Sequence, residues 1–282
     1  MIVLVEKGIK ATFDPEHGLN MVSLIIEGKE LIDQSTKKGF QESSRGLSPL
    51  IGPHFYHRAP DAIPFFDTEA LHLLSKKLRF RDEVEPFSHG IARYVPWRIL
   101  ETTATSFKAE LDSHDKVLDW TLAEIEGFDF VLGFEASVTE RAMEICYSAK
   151  STSQPVVVGL HTYYALQEGM HFAELSGAPF YYDKLNRRSV PHDWLVNQTL
   201  KIPLDQALDY TFSPQLSREG FGEVELHCGV SALKIEAKAH PDLSFQLYRP
   251  ADASYICVEP IAAINPRIVT QKHASLEVHI SF

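Results

Sequence analysis

Two stretches of this chain carry side chains suited to proton transfer. The first is Q-P-V-V-V-G-L-H-T-Y-Y-A-L, residues 154–166, where an apolar, β-branched run leads to His161 and then to two tyrosines. Such a run is typical of a buried strand, which would hold the imidazole rigidly beside aromatic rings. An imidazole held there can donate or accept a proton. The alternative is that His161 is a hydrogen-bonded core residue, as a lone histidine in an apolar strand more often is.

The second stretch is S-Y-I-C-V-E-P, Ser254–Pro260, in which Glu259 ends an apolar run and precedes a proline that stops ladder pairing. A carboxyl group buried at the end of a strand resists ionisation, so it can act as a base nearer to neutral pH. An exposed glutamate at a strand end explains these residues about equally well. If both stretches line one cleft, that cleft holds an acid–base pair.

Two further stretches offer hydrogen bonding and stacking. F-S-H-G-I-A-R-Y-V-P-W, residues 87–97, combines His89, Arg93 and Trp97. An indole can stack on the C–H face of a sugar while polar neighbours bind its hydroxyl groups. P-L-D-Q-A-L-D-Y-T-F ends in rings beside Asp209, whose carboxylate could accept hydrogen bonds from such hydroxyls. The alternatives are a surface loop with a packed tryptophan and an Asx turn before a strand.

Other chemistries have weaker signals. His54 and His57 form one H-x-x-H, and with His89 they leave a metal-dependent enzyme open. No H-E-x-x-H or H-x-H accompanies them, so we expect no metal site. The chain has no G-x-S-x-G elbow, P-loop or G-x-G-x-x-G, which argues against a serine hydrolase or a nucleotide-binding enzyme.

Composition limits the possible partners and compartment. The net charge of −11 argues against nucleic acid or an anionic membrane as a partner. No run approaches the roughly 18 apolar residues of a membrane span, and the start M-I-V-L-V-E-K-G lacks the basic region of a signal peptide. The odd, widely spaced Cys146, Cys228 and Cys257 are expected to be reduced core thiols. We therefore expect a cytoplasmic protein.

Short extended segments separated by turn residues recur along the whole chain. Their spacing of roughly 8 to 12 residues is typical of a β-sandwich or barrel and not of alternating β–α units. Gln34–Pro53 is rich in Ser, Gly and Lys and is predicted to be a long loop, while Ala70–Phe80 could form one short helix. We predict an all-β fold, a large antiparallel β-sandwich with few short helices, in a single domain covering residues 1–282.

In this order, the four stretches resemble the aldose 1-epimerase (galactose mutarotase) superfamily. The resemblance extends from residues 18–32 to the last strand. The matching segments are H-G-I-A-R at 89–93 with Trp97 (family H-G-F-A-R), G-L-H-T-Y-Y at 159–164 (family G-x-H-P-Y-F), L-D-Y-T-F at 208–212, and V-E-P at 258–260.

The resemblance implies a supersandwich fold with a sugar-binding cleft and a mutarotase activity. His161 would be the general acid and Glu259 the general base, so that two proton transfers open and reclose the sugar ring without a metal or another cofactor. On the same basis His89 and Asp209 would hold sugar hydroxyls, and His89 could help to polarise the ring oxygen. Arg58, Arg93 and Trp97 would complete the substrate site.

The partner implied is a monosaccharide or a sugar phosphate, bound by a monomer or homodimer. Thr162 and Tyr164 replace the family's proline and phenylalanine, and the P-H-F-Y-H-R segment around Arg58 differs most. A branch of the family acts on hexose 6-phosphates, for which a phosphate clamp could come from Arg58, Arg93, Arg187 and Arg188. The alternative function is a non-catalytic sugar-binding or regulatory protein.

Overall fold

The computed structural model describes residues 1–55, 68–79, 87–166, 168–228 and 231–282. Its helices are α1 (Lys37–Ser43), α2 (Thr68–Leu78) and α3 (Leu122–Glu126), with single 3₁₀ turns at Gln34–Thr36, Ile91–Arg93 and His192–Trp194. In the part of the chain so described, no helix combines the length and the apolar character needed to cross a bilayer.

Strands make up most of the described chain. Before α3 these are β1 (Ile2–Glu6), β2 (Ile9–Asp14), β3 (Asn20–Ile26), β4 (Lys29–Glu30), β5 (Leu50–Ile51), β6 (Arg98–Thr102), β7 (Ser106–Asp112), β8 (Lys116–Val117) and β9 (Trp120–Thr121). After α3 they are β10 (Phe130–Val138), β11 (Met143–Ser151), β12 (Gly159–Leu160), β13 (Thr162–Ala165), β14 (Met170–Asp183), β15 (Asn186–Ser189), β16 (Leu195–Val196), β17 (Thr199–Pro203), β18 (Leu208–Pro214), β19 (Gly222–Cys228), β20 (Ser231–His240), β21 (Ser244–Arg249), β22 (Tyr255–Ile261) and β23 (His273–Ser281).

Two large antiparallel sheets share the long strand β14. What we call the front sheet contains β5, β12, β13, β22, β21, β18, the second half of β14, and β15. The back sheet contains β6, β7, β10, β11, β23, β20, β19, the first half of β14, β17 and β16. Strands β1–β4 form a small separate sheet. These paired sheets confirm the predicted all-β, antiparallel sandwich.

Alternating side chains build the core. In β10 the burial alternates residue by residue, with Phe130, Leu132, Phe134, Ala136 and Val138 buried, because successive side chains of a strand point to opposite faces. Phe134 packs between Phe107 and Tyr147, with ring centroids 5.8 Å away from each. The buried aromatic residues of these strands therefore belong to one connected core.

Two local predictions were wrong, and one helix was missed. Gln34–Pro53 is not a loop throughout, because it contains a 3₁₀ turn and the helix α1. The Asp33 carboxylate caps the 3₁₀ turn by accepting a hydrogen bond from the Ser35 N–H, and α1 buries Phe40. Val156–Val158 is buried but is not a strand. Its N–H groups bond to loop carbonyls instead, as Val157 does to Pro53. Helix α3 went unrecognised although Thr121 and Glu124 form a capping box at its start.

The cysteine prediction holds only in part. Cys257 is buried, as expected of a core thiol, but Cys146 is exposed on β11. Both are free thiols. The side chain of Cys228 lies outside the described atoms.

Candidate active site

Strand alternation and register bring distant residues to one face of the front sheet. Across neighbouring strands, Tyr163 lies opposite Cys257 and Glu259 opposite Gln246. Tyr248 continues the first row, and Asp209 lies opposite Tyr248. Residues two apart on a strand share a face. This register therefore places polar and aromatic side chains from β13, β22, β21 and β18 on a common surface. The sequence-adjacent Thr162, Tyr164 and Val258 point to the core instead.

A break in the strand pairing separates β12 from β13 at His161. β13 pairs with β22 up to Thr162 opposite Val258, and the pairing resumes at Gly159 opposite Ile261. The backbone N–H of His161 donates to Pro49 O at 2.9 Å instead. Pro260, which has no N–H, falls in this interval, although β22 itself continues to Ile261. The proline therefore interrupts one ladder locally and does not end the strand as predicted.

The common surface forms the floor of a pocket of about 560 Å³. Five of the predicted site residues line it: His89, Arg93, His161, Asp209 and Glu259. The other lining residues include four rings and two cations, namely Phe55, Tyr163, Tyr248, Tyr255, Arg45 and Arg267. Sequence stretches more than a hundred residues apart thus meet in one cavity.

His161 and Glu259 form a buried pair at the floor of this pocket. The His161 Nε2 and Glu259 Oε1 atoms are 3.3 Å apart, and the side chains are 8 % and 2 % exposed. Burial lowers the pKa of His161 to about 3, and the charge of Arg93 adds to the lowering. Burial raises the pKa of Glu259 well above its ordinary value, against the opposing effect of Arg93. Both shifts favour the uncharged pair, with the proton on the carboxyl group.

Arg93 brings a buried cation with unused donors to the pair. The residue is 3 % exposed, and its Nε and Nη2 atoms have no hydrogen-bond partner among the described residues. Glu259 Oε2 and His161 Nδ1 are likewise buried and unpartnered there. Unsatisfied buried polar groups are costly, so this concentration of them at a pocket floor fits a polar ligand that completes the bonds.

His89 is held in one tautomer. Its Nδ1 atom lies 2.7 Å from Phe55 O, and since a carbonyl accepts only, Nδ1 donates. Burial lowers the pKa of His89 well below its ordinary value, and the charges of Arg93 and His161 lower it further. The ring is therefore neutral, with a lone pair on Nε2. In this state Nε2 can accept a hydrogen bond from a hydroxyl group but carries no proton to donate to a ring oxygen.

Asp209 is held by a short polar chain. Gln246 Nε2 donates to Asp209 Oδ1 at 2.6 Å, while Thr211 donates to Gln246 Oε1. Gln246 is buried, whereas Asp209 is exposed at the pocket rim. The carboxylate keeps acceptor capacity for a ligand, because only one of its oxygens is bound to Gln246.

Trp97 does not join these residues, and its predicted role as a stacking surface for a sugar was wrong. The indole is 4 % exposed, donates to Ala92 O at 2.9 Å, and packs edge-on against Phe134 and Tyr147 in the core. The aromatic side chains that line the pocket are Phe55, Tyr163, Tyr248 and Tyr255, and the Tyr163 ring stacks on His161 with centroids 4.9 Å apart. A tryptophan close to polar residues in sequence does not show which way its ring points.

The predicted arginine clamp is not assembled as expected. Arg187 and Arg188 are exposed on β15, do not line the pocket, and the Arg187 guanidinium covers the ring of Phe180. Arg58 lies outside the described residues. Arg45, at the exposed rim, and Arg267, over the Phe55 ring, line the pocket beside Arg93 instead.

Sequence reasoning also missed Gln246. Its only signal is the alternation of S-F-Q-L-Y-R on β21, which puts Gln246 and Tyr248 on the same face. An amide flanked by apolar residues on a strand needs a buried partner, but the sequence does not say that this partner is Asp209. The partner follows from the register of β18, β21 and β22.

The alternative of a metal site at His54, His57 and His89 is not supported by His54 and His89, the two of these residues that the structure describes. His54 contacts Glu126 and Phe87 O, and His89 donates to Phe55 O. His57 lies outside the described residues. Among those that are described, one trio has ligand atoms close enough for a metal ion, within 4.8 Å of one another, namely His161, Cys257 and Glu259. Arg93 acts electrostatically on all three, and its charge opposes a dication there.

Solved structures share this architecture despite low identity. No family model matches the chain, and no curated protein is similar to it in sequence. A galactose mutarotase-like protein of Lactobacillus casei is 13 % identical, with a TM-score of 0.68 over 99 % of each chain. A GalM/aldose epimerase homologue of C. elegans is 14 % identical, with a TM-score of 0.68 over 99 % of this chain and 97 % of that one.

A third structure, the Slr1438 protein of Synechocystis, is 19 % identical and has a TM-score of 0.68, covering 99 % of this chain and 95 % of that chain. Identities this low compare folds and not activities. The chain therefore has the galactose mutarotase-like fold, which confirms the architecture that the four sequence stretches implied.

Proposed function

We propose that the protein is a mutarotase, which interconverts the α and β anomers of an aldose or aldose 6-phosphate by acid–base ring opening. The observation that carries the proposal is the buried contact of His161 with Glu259, 3.3 Å apart at the floor of a polar pocket. Ring opening needs one group to remove a proton from the anomeric hydroxyl and another to give one to the ring oxygen. The pair supplies both groups.

Their environment suits these roles. Because burial lowers the pKa of His161 and raises that of Glu259, the imidazolium is a strong acid and the carboxylate a strong base whenever they form. One proton passing from Glu259 to His161 produces both at once. Arg93, the cation beside them, stabilises the resulting carboxylate, as its lowering effect on the Glu259 pKa indicates.

The proton balance closes without a cofactor. Glu259 takes the proton of the anomeric hydroxyl, the carbonyl forms at C1, the bond from C1 to the ring oxygen breaks, and His161 protonates that oxygen. The pair is then neutral again, which is the state that burial favours. Rotation about the C1–C2 bond and the reverse transfers close the ring as the other anomer.

The pocket supplies partners for the remaining hydroxyls. Neutral His89 and Asp209 are acceptors, Arg93 offers two unpaired donors, and the rings of Tyr163, Tyr248 and Tyr255 provide apolar faces for the sugar. Three arginines line a pocket whose one strongly buried carboxyl is held neutral. In a chain of net charge −11 this local excess of cations supports an anionic sugar such as a 6-phosphate.

The decisive experiment is anomer-resolved NMR or polarimetry on freshly dissolved α-glucose, α-galactose and glucose 6-phosphate, with and without the protein. We expect faster approach to anomeric equilibrium and loss of that acceleration in Glu259→Gln. Binding of these sugars without any acceleration would contradict the mutarotase proposal and favour a sugar-binding or regulatory protein.

A further inference from the structure

Segment 87–93, which presents His89 and Arg93 to the pocket, is hydrogen-bonded to residues 52–55, which directly follow β5. The N–H of Gly52 donates to His89 O at 2.9 Å, and the N–H of Ala92 donates to Gly52 O at 3.0 Å. Gly90 is essential to this approach, because a Cβ there would lie 2.1 Å from Gly52 O. The position of His89 thus depends on how residues 52–55 are held.

His54 reaches across the same junction. Its Nε2 atom lies 3.0 Å from Phe87 O and, facing a carbonyl, donates the bond. Its Nδ1 atom lies 3.0 Å from Glu126 Oε2. One proton is shared across that second contact, either as imidazolium and carboxylate or as neutral imidazole and carboxylic acid, because two lone pairs facing each other would repel.

Glu126 closes the arrangement from helix α3. Its other oxygen, Oε1, accepts from the N–H of Ile91 at 2.9 Å, and the residue is 1 % exposed. One carboxyl group is therefore bonded directly to one end of the 87–91 turn and, through His54, to the other end at Phe87. Glu126 does not line the pocket, so it has no contact with a ligand there.

The arrangement bears on His89 itself. The carbonyl that accepts from His89 Nδ1 belongs to Phe55, the residue that follows His54. Anchoring His54 therefore anchors the acceptor that keeps the proton of His89 on Nδ1 and the lone pair on Nε2. Loss of the anchor frees the ring to change tautomer, and an Nε2–H would require the substrate hydroxyl to reorient and accept a bond in place of the one that it donates in the arrangement proposed above.

We propose that Glu126 is a positioning residue that, through His54, sets the location and tautomer of the ligand-binding His89. The kinetic part of this inference rests on the mutarotase function proposed above. Its structural part, the tautomer of His89, does not.

The test uses two disrupting variants, Glu126→Ala and His54→Phe, and one conservative variant, Glu126→Gln. An amide at 126 can accept from the Ile91 N–H and donate to Nδ1 of a neutral His54, so Glu126→Gln should behave like the natural protein. The control is Glu30→Ala, which removes a carboxylate that does not line the pocket and that accepts from the Leu24 and Ile32 N–H groups. It costs comparable backbone bonds without touching the 87–93 segment.

We expect Glu126→Ala and His54→Phe to raise KM by about threefold to tenfold and leave kcat nearly unchanged, because His89 binds the substrate equally in ground and transition states. ¹⁵N spectra of labelled histidine should show the His89 ring leaving its single Nδ1–H tautomer in both variants. Glu126→Gln and Glu30→Ala should show neither change.

Unchanged KM together with an unchanged His89 tautomer in a folded disrupting variant would overturn the inference. If Glu126→Ala does not fold, His54→Phe decides, since it keeps the volume of the ring and the Glu126–Ile91 bond. If the natural protein turns over no sugar, the proposed function has failed, and the His89 tautomer alone decides whether Glu126 positions that ring.

Discussion

Glu259 Oε1 lies 3.3 Å from His161 Nε2 because β12 and β13 part at His161, directly beside Glu259 and Pro260 on β22. At this gap β22 has no ladder pairing with β12 or β13, and the side chains of His161 and Glu259 meet on the pocket face. We expect this contact to couple the two residues in the proposed proton transfers. Several of the predictions below follow from that coupling.

Replacing Glu259 by Gln should reduce turnover by about 10²-fold or more, since an amide cannot accept the anomeric proton. The fold should persist, because the side chains have nearly equal volume. Anomer-resolved NMR measures the rate, and circular dichroism checks the fold. The matched control is Glu174→Gln, a half-buried carboxylate outside the pocket, which should keep the natural rate.

His161→Ala should cost a similar factor of about 10². Since the two residues act as a unit, the double variant His161→Ala/Glu259→Gln should be little slower than either single variant. Full multiplication of the two losses would show that they work independently and would contradict the coupling. His279→Ala, which changes a histidine outside the pocket, is the control for the loss of an imidazole.

Glu259→Gln should also raise the melting temperature at neutral pH. Burial raises the pKa of Glu259 in the folded protein, so between its ordinary value of 4.5 and the raised value the folded state binds the proton more tightly than the unfolded state. The contribution of the Glu259 carboxyl group to the free energy of unfolding is fully present below pH 4.5 and is lost as the pH rises toward the raised pKa. The amide of Gln does not ionise, so the variant does not lose this stability as the pH rises.

The gain should therefore be largest at pH 7 to 8 and shrink as the pH falls toward 4.5. His161 has the opposite sign, because its pKa is lowered from 6.5 to about 3 and its contribution weakens as the pH falls through that window. It is present in both proteins, so it largely cancels in the difference. Scanning calorimetry across this pH range makes the comparison, and a gain that grew toward acid pH would show that Glu259 is ionised in the fold.

Arg45→Ala should raise KM for glucose 6-phosphate more than it raises KM for glucose. The reason is that the exposed Arg45 lines the pocket rim and would contact a phosphate group. Added salt should narrow the difference by screening that contact. Arg187→Ala removes an equal charge from an exposed position off the pocket and should change neither KM. An equal effect of Arg45→Ala on both sugars would contradict a phosphate contact at this residue.

Trp97→Phe should destabilise the protein by about 1 to 3 kcal/mol through the lost hydrogen bond to Ala92 and the lost core volume. KM for sugars should stay the same, because the ring does not face the pocket. Denaturant unfolding and steady-state kinetics measure the two effects. A raised KM with unchanged stability would contradict this and support a role for Trp97 in binding the substrate.

Much of the local structure was readable from the chain. The strand β10 shows the apolar alternation in its sequence F-V-L-G-F-E-A-S-V, and the turn residues near Thr103–Thr105 separate β6 from β7. Ala70–Phe80 corresponds to α2, within two residues at the ends that are described. Period-2 patterns are readable because burying one face of a strand restricts every second residue.

The sequence alone also supplied the chemical types of the site. His161, Glu259, His89, Asp209 and Arg93 were all singled out, and all line one pocket. What only the tertiary structure decided is which atoms meet: the contact of His161 with Glu259, the bond from Gln246 to Asp209, and the turn of Trp97 into the core. These depend on strand register and on pairings between distant segments, and a one-residue shift in register would reverse the face that each side chain occupies.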